Sequence, residues 1–217
     1  EDWLAAAENM RDFIRNRTSG LMGQLPAEGF ELPGAELPDG WRSRDVGDVG
    51  SNGFVTYNDG MFTITGSGED IWNTNDEFYY VYKTVSGDVD IRARVLAVGN
   101  TDEWAKAGIM IRELTNDAAK NVYVAATPAR ITFQRRTESG GTTESTKVEE
   151  TTAPRWLRLV RKGSEFTAYE SANGENWNEI DKVSFSLRNS AQIGLAVTAH
   201  NDGALCTATI DNFSING

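Results

Sequence analysis

Apolar and polar residues alternate along three segments near the middle of the chain, at residues 78–85, 89–95 and 106–112. Val, Ile, Tyr and Phe at every second position suit a pleated strand that has one buried face. Residues 86–88, Ser-Gly-Asp, favour a turn. We therefore expect the first two segments to form an antiparallel hairpin.

The two faces of these strands differ in chemistry. On the third segment Ala107, Ile109 and Ile111 share one face, whereas Lys106 and Arg112 share the other. We expect the first face to build a core. The second face carries long polar side chains that can meet solvent or a polar ligand.

The chain after residue 41 consists almost entirely of predicted strands and turns. Turns are indicated at residues 58–60, 139–141, 162–164 and 173–174. The predicted strands are 53–57, 61–65, 78–85, 89–95, 106–112, 121–127, 131–136, 155–162, 165–171, 179–183, 191–198 and 204–215. Short strands at this spacing, without helical segments between them, are typical of a sandwich or a barrel.

The N-terminal part has a different period. Apolar residues such as Trp3, Met10 and Phe13 recur at three- and four-residue steps, which predicts a helical segment over residues 1–25. Prolines and glycines in residues 26–40 predict a linker, so the β domain spans residues 41–217. Two interpretations of the helix stay open: it packs on the β domain, or it closes a preceding domain.

Charge and cysteine content narrow the function classes. The formal net charge of −11 over 217 residues argues against a nucleic-acid partner, because phosphates require a basic surface. Cys206 is the only cysteine, so no disulfide forms within the chain. No apolar run approaches the roughly 18 residues of a membrane span.

Seven phrases in the β domain stand in a familiar order: GSGEDIW, FYYVYKTVSGDVDIRARV, WAKAGIMIRE, VAATP, WLRLVRKGSEFTAYESANGENW, GLAVTAHN and ATIDNFSI. They resemble the concanavalin A-like, laminin-G-like jelly-roll modules appended to bacterial secreted and cell-surface proteins. The resemblance implies an all-β, two-sheet antiparallel jelly-roll sandwich, with one convex and one concave sheet. It also implies an extracellular or cell-surface location and a glycan or polysaccharide partner, beside other domains of a parent protein.

The N-terminal run RDFIRNRTSGLMGQL is similar to the closing helix of spore-coat-protein-H-like kinase domains. The catalytic parts of a kinase are not among these residues, so the similarity implies no kinase activity.

The candidate catalytic groups are few. Glycoside hydrolysis usually requires two carboxylates across the scissile bond, and glucanases of this superfamily carry an E-x-D-x-x-E strand that this sequence lacks. Asp88 and Asp90 share a face, but Asp88 lies in a predicted turn. His200 is the only histidine, and no G-x-S-x-G motif accompanies it. We therefore expect that the protein is not an enzyme.

Calcium is the metal that the sequence best suits, because hard carboxylate oxygens are present whereas zinc ligands are scarce. Related sandwiches hold a structural calcium where the last strand meets an early loop. This resemblance implies Asp211 and Asp70 as metal ligands. In the alternative interpretation Asp211 caps a turn or a bulge.

A sugar site combines aromatic rings with amides and forked donors. If the strands are neighbours, the predicted ligand-binding side chains converge on the polar face: Trp72, Asp76, Tyr80, Tyr82, Lys106, Arg112, Gln134, Arg136, His200 and Asn201. Alternatives stay open for several of them. The tyrosines suit a core, Trp72 suits a loop plug, and Lys106 and Arg112 suit an exposed or ion-paired face.

Three hypotheses for the function follow. The first is a non-catalytic, carbohydrate-binding or adhesive module of a larger extracellular or cell-surface protein. The second is a structural or assembly domain, in which Trp72, Tyr82 and Met110 form the core of a protein–protein interface. The third is a divergent glycoside hydrolase.

Overall fold

The computed structural model describes residues 36–216, which form sixteen strands and contain no helix. The predicted helical segment 1–25 and most of the predicted linker lie outside the described residues. The strands are β1 (Arg42–Val46), β2 (Phe54–Asn58), β3 (Met61–Gly66), β4 (Ile71–Trp72), β5 (Asn75–Asp76), β6 (Phe78–Ser86), β7 (Val89–Val98), β8 (Lys106–Arg112), β9 (Asn121–Ala126), β10 (Arg130–Arg136), β11 (Glu144–Glu149), β12 (Arg155–Lys162), β13 (Glu165–Ser171), β14 (Asn178–Ser184), β15 (Ser190–Thr198) and β16 (Cys206–Asn216).

Two antiparallel sheets of seven strands each make up the fold. The first sheet has the order β1-β6-β15-β8-β9-β10-β11, and the second has the order β14-β13-β12-β7-β16-β3-β2. The short strands β4 and β5 form a separate hairpin. The predicted all-β, two-sheet antiparallel sandwich is confirmed.

The main core lies between the two sheets. Ala107, Ile109 and Ile111 of β8 belong to it, and Ile91 of β7 and Leu159 of β12 come from the other sheet. All five side chains are fully buried. The sequence alternation on 106–112 therefore assigned the core-facing positions correctly, because successive side chains on a strand point to opposite faces.

The predicted β6–β7 hairpin is wrong. β6 pairs with β1 and β15 in the first sheet, whereas β7 pairs with β12 and β16 in the second. The turn at Gly87, whose φ is +86°, carries the chain from one sheet to the other. The predicted turns at 58–60, 139–141, 162–164 and 173–174 do join strands that pair with each other.

A second apolar cluster covers part of the outer face of the first sheet. It contains Phe78 and Tyr80 of β6, Met110 of β8 and Tyr123 of β9, and Ile71 of the β4–β5 hairpin packs on it. The hairpin and its flanking loops thus cover one end of this face. The uncovered part of the same face is where the polar side chains of β8, β10 and β11 meet.

Candidate functional site: a pocket on the outer face of the first sheet

A pocket of about 280 Å³ lies beside the β4–β5 hairpin, on the outer face of the first sheet. Its lining residues are Asp70, Trp72, Trp104, Lys106, Gln134, Ser145, Lys147 and His200. They come from three strands, β8, β10 and β11, and from the loops and the hairpin that surround them. Four predicted ligand-binding residues, Trp72, Lys106, Gln134 and His200, therefore lie together as the sequence analysis expected.

Two half-buried tryptophans supply the apolar surface of the pocket, Trp72 from the hairpin and Trp104 from the loop before β8. The guanidinium of Arg130 stacks on the Trp104 ring at 4.0 Å, and the ammonium of Lys147 lies 4.6 Å from the same ring. These cation–π contacts fix the indole in one orientation. An aromatic ring held beside polar groups is the arrangement that the apolar C–H face of a sugar requires.

Asp70 is bound by two partners at the rim. Its carboxylate lies 2.5 Å from the Nζ of Lys106 and 3.2 Å from the Nε2 of His200. Burial lowers the pKa of Lys106, and the charge of Asp70 opposes that shift. Lys106 also donates to the backbone oxygen of Trp104 at 2.9 Å, so it ties the two sides of the pocket together.

His200 stands between two acids. Its Nδ1 lies 3.1 Å from a carboxylate oxygen of Asp102, on the side opposite to Asp70. The backbone of His200 has φ of +50°, a conformation that non-glycine residues seldom adopt. The two carboxylates and the backbone hold the imidazole at the pocket edge.

Gln134 of β10 forms part of the pocket floor, and only 2% of it is exposed. Its Oε1 is buried and has no hydrogen-bond partner among the described residues. A buried acceptor that is left unpaired carries a desolvation cost of about 1–3 kcal/mol. Gln134 lines the pocket, so a ligand hydroxyl that reaches this oxygen would remove the cost.

A second compartment of about 440 Å³ adjoins the first and shares Asp70, Trp72 and His200 with it. Its other lining residues are Glu69, Asn73, Thr74, Asn75 and Glu77. The two compartments together form a groove along the hairpin, with Trp72 and His200 between them. The first compartment contains lysines, whereas the second contains carboxylates and amides.

Three predicted ligand-binding residues, Asp76, Arg112 and Arg136, are not in the pocket. Their side chains are 0% exposed, and none of the three is among the residues that line the pocket. Arg112 binds the Asp76 carboxylate at 2.5 Å, and Arg136 binds it at 2.6 and 2.7 Å. The sequence placed all three correctly on the outer face, but the hairpin and loops that cover this end of the sheet make them structural.

This buried ion network holds the hairpin in place. Arg136 donates to the backbone oxygens of Trp72 and Asn73 at 3.0 and 3.1 Å. The hydroxyl of Thr143 also accepts from Arg136 and donates to the oxygen of Asn73. Arg136 is therefore a positioning residue for Trp72, although it does not touch the pocket.

Three further predicted residues lie beside the pocket rather than in it. Tyr80 is fully buried, and its hydroxyl donates to the backbone oxygen of Gln192 at 3.0 Å. Tyr82 is half-buried and stacks on Tyr80, with 5.0 Å between the rings. Asn201 is exposed in the loop after His200 and is not among the lining residues. The placement of Tyr80 and Asn201 in a ligand site is corrected accordingly.

The predicted calcium ligands lie on different elements, Asp211 on β16 and Asp70 in the loop before β4. Asp211 of β16 forms a two-pronged ion pair with Arg94 at 2.5 and 2.9 Å, and this pairing lowers the pKa of Asp211. Asp70 is bound by Lys106 and His200. Within residues 36–216 no group of three or more His, Cys, Asp or Glu side chains is arranged to hold a metal ion. Calcium binding stays a prediction, and Asp70 and Asp211 do not share a site.

Sequence reasoning missed three lining residues as a set. Ser145 and Lys147 lie on β11, a strand that was not predicted because residues 144–149 contain one apolar side chain only. Trp104 lies in the loop before β8, where an aromatic side chain equally suits a plug over the core. The alternation of Ser145, Lys147 and Glu149 on one face was the available signal.

The outer face of the second sheet has a larger depression, about 370 Å³, lined in part by Asp90, Arg158 and Tyr169. Arg158 binds Asp90 with two hydrogen bonds of 2.7 and 2.8 Å, and Arg92 binds it at 3.0 Å. These three charged groups already pair with one another, so none of them requires a ligand partner. Trp177, near Arg92 and Arg158, lies on this side of the molecule.

No helix within residues 36–216 has the length and apolar character needed to cross a membrane.

No protein-family model and no curated protein matches the chain. Solved structures do match its fold. A functionally unknown protein from Saccharomyces cerevisiae is 15% identical with a TM-score of 0.63, and the match covers 76% of this chain and 91% of that one. The carbohydrate-binding module CBM66 from Bacillus subtilis is 16% identical with a TM-score of 0.53, covering 82% and 96%.

A legume lectin-like domain from Entamoeba histolytica is 8% identical with a TM-score of 0.56, and the match covers 82% of this chain and 89% of that one. At these identities the comparisons establish the lectin-like sandwich as the fold. Fold alone does not determine function, because one architecture supports many sites.

Proposed function

We propose that the protein is a non-catalytic carbohydrate-binding module and that the pocket between Trp72 and Trp104 receives the saccharide. The observation that carries the proposal is the unpartnered Oε1 of Gln134, a buried residue that lines the pocket between the two tryptophans. A sugar hydroxyl donates the missing hydrogen bond, while the tryptophans contact the C–H face of the ring. The carbohydrate-binding module and the lectin-like domain among the similar structures support the same ligand class.

The charges around the pocket favour binding over catalysis. A retaining or inverting glycosidase requires two carboxylates that are free to act as acid and as base or nucleophile. Asp70, the one carboxylate lining the Trp104 compartment, is bound by Lys106 and His200. These contacts hold the Asp70 carboxylate in one orientation, which suits a structural or ligand-orienting role.

The proposed module belongs to a larger extracellular or cell-surface protein, where polysaccharides are accessible. The alternative, an assembly domain with Trp72, Tyr82 and Met110 at its interface, has less support. Met110 is 0% exposed and belongs to the apolar cluster under the hairpin, so it cannot contact a partner.

A glycan array followed by isothermal titration calorimetry tests the proposal. We expect Trp72→Ala and Trp104→Ala each to weaken binding of the best glycan at least about tenfold, which equals about 1.4 kcal/mol. Trp177→Ala removes a ring on the other side of the sandwich and should leave the affinity unchanged.

A broad array with no ligand for the wild type, with and without calcium, would contradict the proposal. Release of reducing sugar from a bound glycan would favour the hydrolase hypothesis instead.

A further inference from the structure

Three cations surround the indole of Trp104. The side chains of Arg130, Lys147 and Lys106 lie 4.0, 4.6 and 5.8 Å from the ring. Such a concentration of positive charge contrasts with the formal net charge of −11 for the whole chain. Which of these cations is left for a ligand depends on the acids that surround them.

Two of these cations are neutralised by acids. Arg130 pairs with Glu103 at 3.2 Å and with Glu149 at 2.9 Å. Lys106 pairs with Asp70 at 2.5 Å.

Lys147 differs from both, because it forms no ion pair with any acid in residues 36–216. It is exposed and lines the pocket, so its ammonium is available to a ligand. Its position over the Trp104 ring holds the charge at the pocket mouth.

We propose, resting on the carbohydrate-binding function above, that the ligand is a saccharide carrying a carboxylate, and that Lys147 binds this group. The Oε1 of Gln134 accepts from a hydroxyl of the same sugar. The two contacts are complementary in kind: Lys147 only donates and requires an acceptor, whereas Gln134 Oε1 only accepts and requires a donor.

The register of β10 and β11 places these two groups at a suitable separation. Gln134 is opposite Ser145, so Lys147 is the diagonal neighbour of Gln134 on the same face. The backbones of diagonal neighbours across antiparallel strands are about 7–8 Å apart, and the flexible Lys147 side chain adjusts the distance between the two polar groups. One sugar ring with its substituents spans a gap of this size, and Ser145 lies beneath it as a further hydrogen-bonding group.

The adjoining compartment limits where a carboxylate of the ligand can lie. Glu69 and Glu77 line it, and neither lysine nor arginine does. A second carboxylate there would meet like charges, which is unfavourable. The groove therefore fits an acidic sugar next to an uncharged one, rather than a run of acidic sugars.

Calorimetry with matched disaccharides tests this inference. The probes are pairs that differ only in a carboxylate, a neutral disaccharide and its uronate counterpart in gluco, galacto and manno configuration. In at least one pair we expect the uronate to bind about fivefold more tightly, the upper range for an ion pair that is open to water. Lys147→Gln should abolish this preference, and raising the salt concentration should reduce it.

Lys182→Gln is the matched control, because it removes the same charge from an exposed site on β14 of the second sheet. It should leave the preference for the uronate intact.

If neutral disaccharides bind as well as uronates and Lys147→Gln changes nothing, while Trp104→Ala abolishes binding, this inference is wrong and the proposed function stands. Tighter binding of a sulfated disaccharide than of the uronate would overturn the assignment of a carboxylate. Binding of neither member of any pair contradicts both.

Discussion

At the scale of single residues, Gln134 departs from the usual rule that buried polar atoms are paired. Its neighbour on the same face of β10, Thr132, is also buried with an unpartnered hydroxyl. A protein that kept these groups for stability alone would have paired them or replaced them with apolar residues. Their position at and beside the pocket floor is what the proposed recognition role would require, at a cost in stability.

Gln134→Leu tests whether Gln134 lowers the stability of the fold and raises its affinity for a glycan. Leucine has a similar volume and needs no hydrogen bond, so the free energy of unfolding should stay constant or rise, by up to about 1–3 kcal/mol. Glycan affinity should fall at the same time. Urea denaturation and calorimetry measure the two effects. A large loss of stability would mean that Gln134 is structural, and an unchanged affinity would mean that its oxygen meets no ligand.

A second prediction at this scale concerns Asp211, whose pKa is lowered by the hydrogen bonds from Arg94. A carboxyl with a lowered pKa stabilises the fold above its unfolded pKa, about 3.9, and that stability is lost as the pH falls through the folded pKa. Asp211→Asn should therefore lower the melting temperature by about 1–4 °C at pH 6. The difference from the wild type should narrow below about pH 3.9.

Melting scans between pH 7 and pH 2.5, in calcium and in EDTA, separate the ion pair from a metal site. The ion pair predicts a pH-dependent difference that is the same in both buffers. A difference that disappears in EDTA would show that Asp211 binds calcium, as the family resemblance implied.

At the scale of elements, the β4–β5 hairpin decides which outer-face residues are accessible. It covers Arg112 and Arg136, to which it presents Asp76 of β5, and leaves Lys106 and Gln134 at the pocket. Two arginines share one carboxylate in this buried network, and carbonyl oxygens of the hairpin and nearby loops accept their other protons. The hairpin thus carries Trp72 on one side and closes the ion network on the other.

Asp76→Asn should damage both roles of the hairpin. It leaves two buried guanidinium groups without a carboxylate, which should cost about 3–5 kcal/mol of unfolding free energy. Glycan affinity should also fall, because Trp72 loses its support. Glu144→Gln is the control, since it breaks the exposed ion pair with Arg135 and should cost less than about 1 kcal/mol. Equal effects of the two variants in urea denaturation would contradict the structural role of Asp76.

The sequence predicted which face of a strand each side chain occupies better than it predicted which strands pair with each other. The alternation on 106–112 depends on the local geometry of a strand and placed Lys106 and Arg112 on the outer face correctly. It could not tell that Lys106 lines the pocket whereas Arg112 does not, because the covering hairpin is distant in sequence. The β6–β7 error has the same cause: residues 86–88 show that the chain turns, but not that it changes sheet. Register and partners are set by long-range packing.

At the scale of the whole molecule, the sandwich presents two outer faces with different chemistry. On the second sheet, Arg92, Arg94 and Arg158 pair with acids of the same surface. On the first sheet, the groove contains an unpaired acceptor, two rings and a lysine that forms no ion pair within the described part of the chain. We therefore place the proposed ligand site on the outer face of the first sheet and not on that of the second.

Backbone chemical-shift mapping by NMR, during titration with the best glycan from the array, tests this central claim most directly. The account predicts that shifts concentrate around Trp72, Trp104, Gln134, Lys147 and His200, with little change at Trp156 or Trp177. Shifts centred on the second sheet, or spread evenly over both faces, would contradict it.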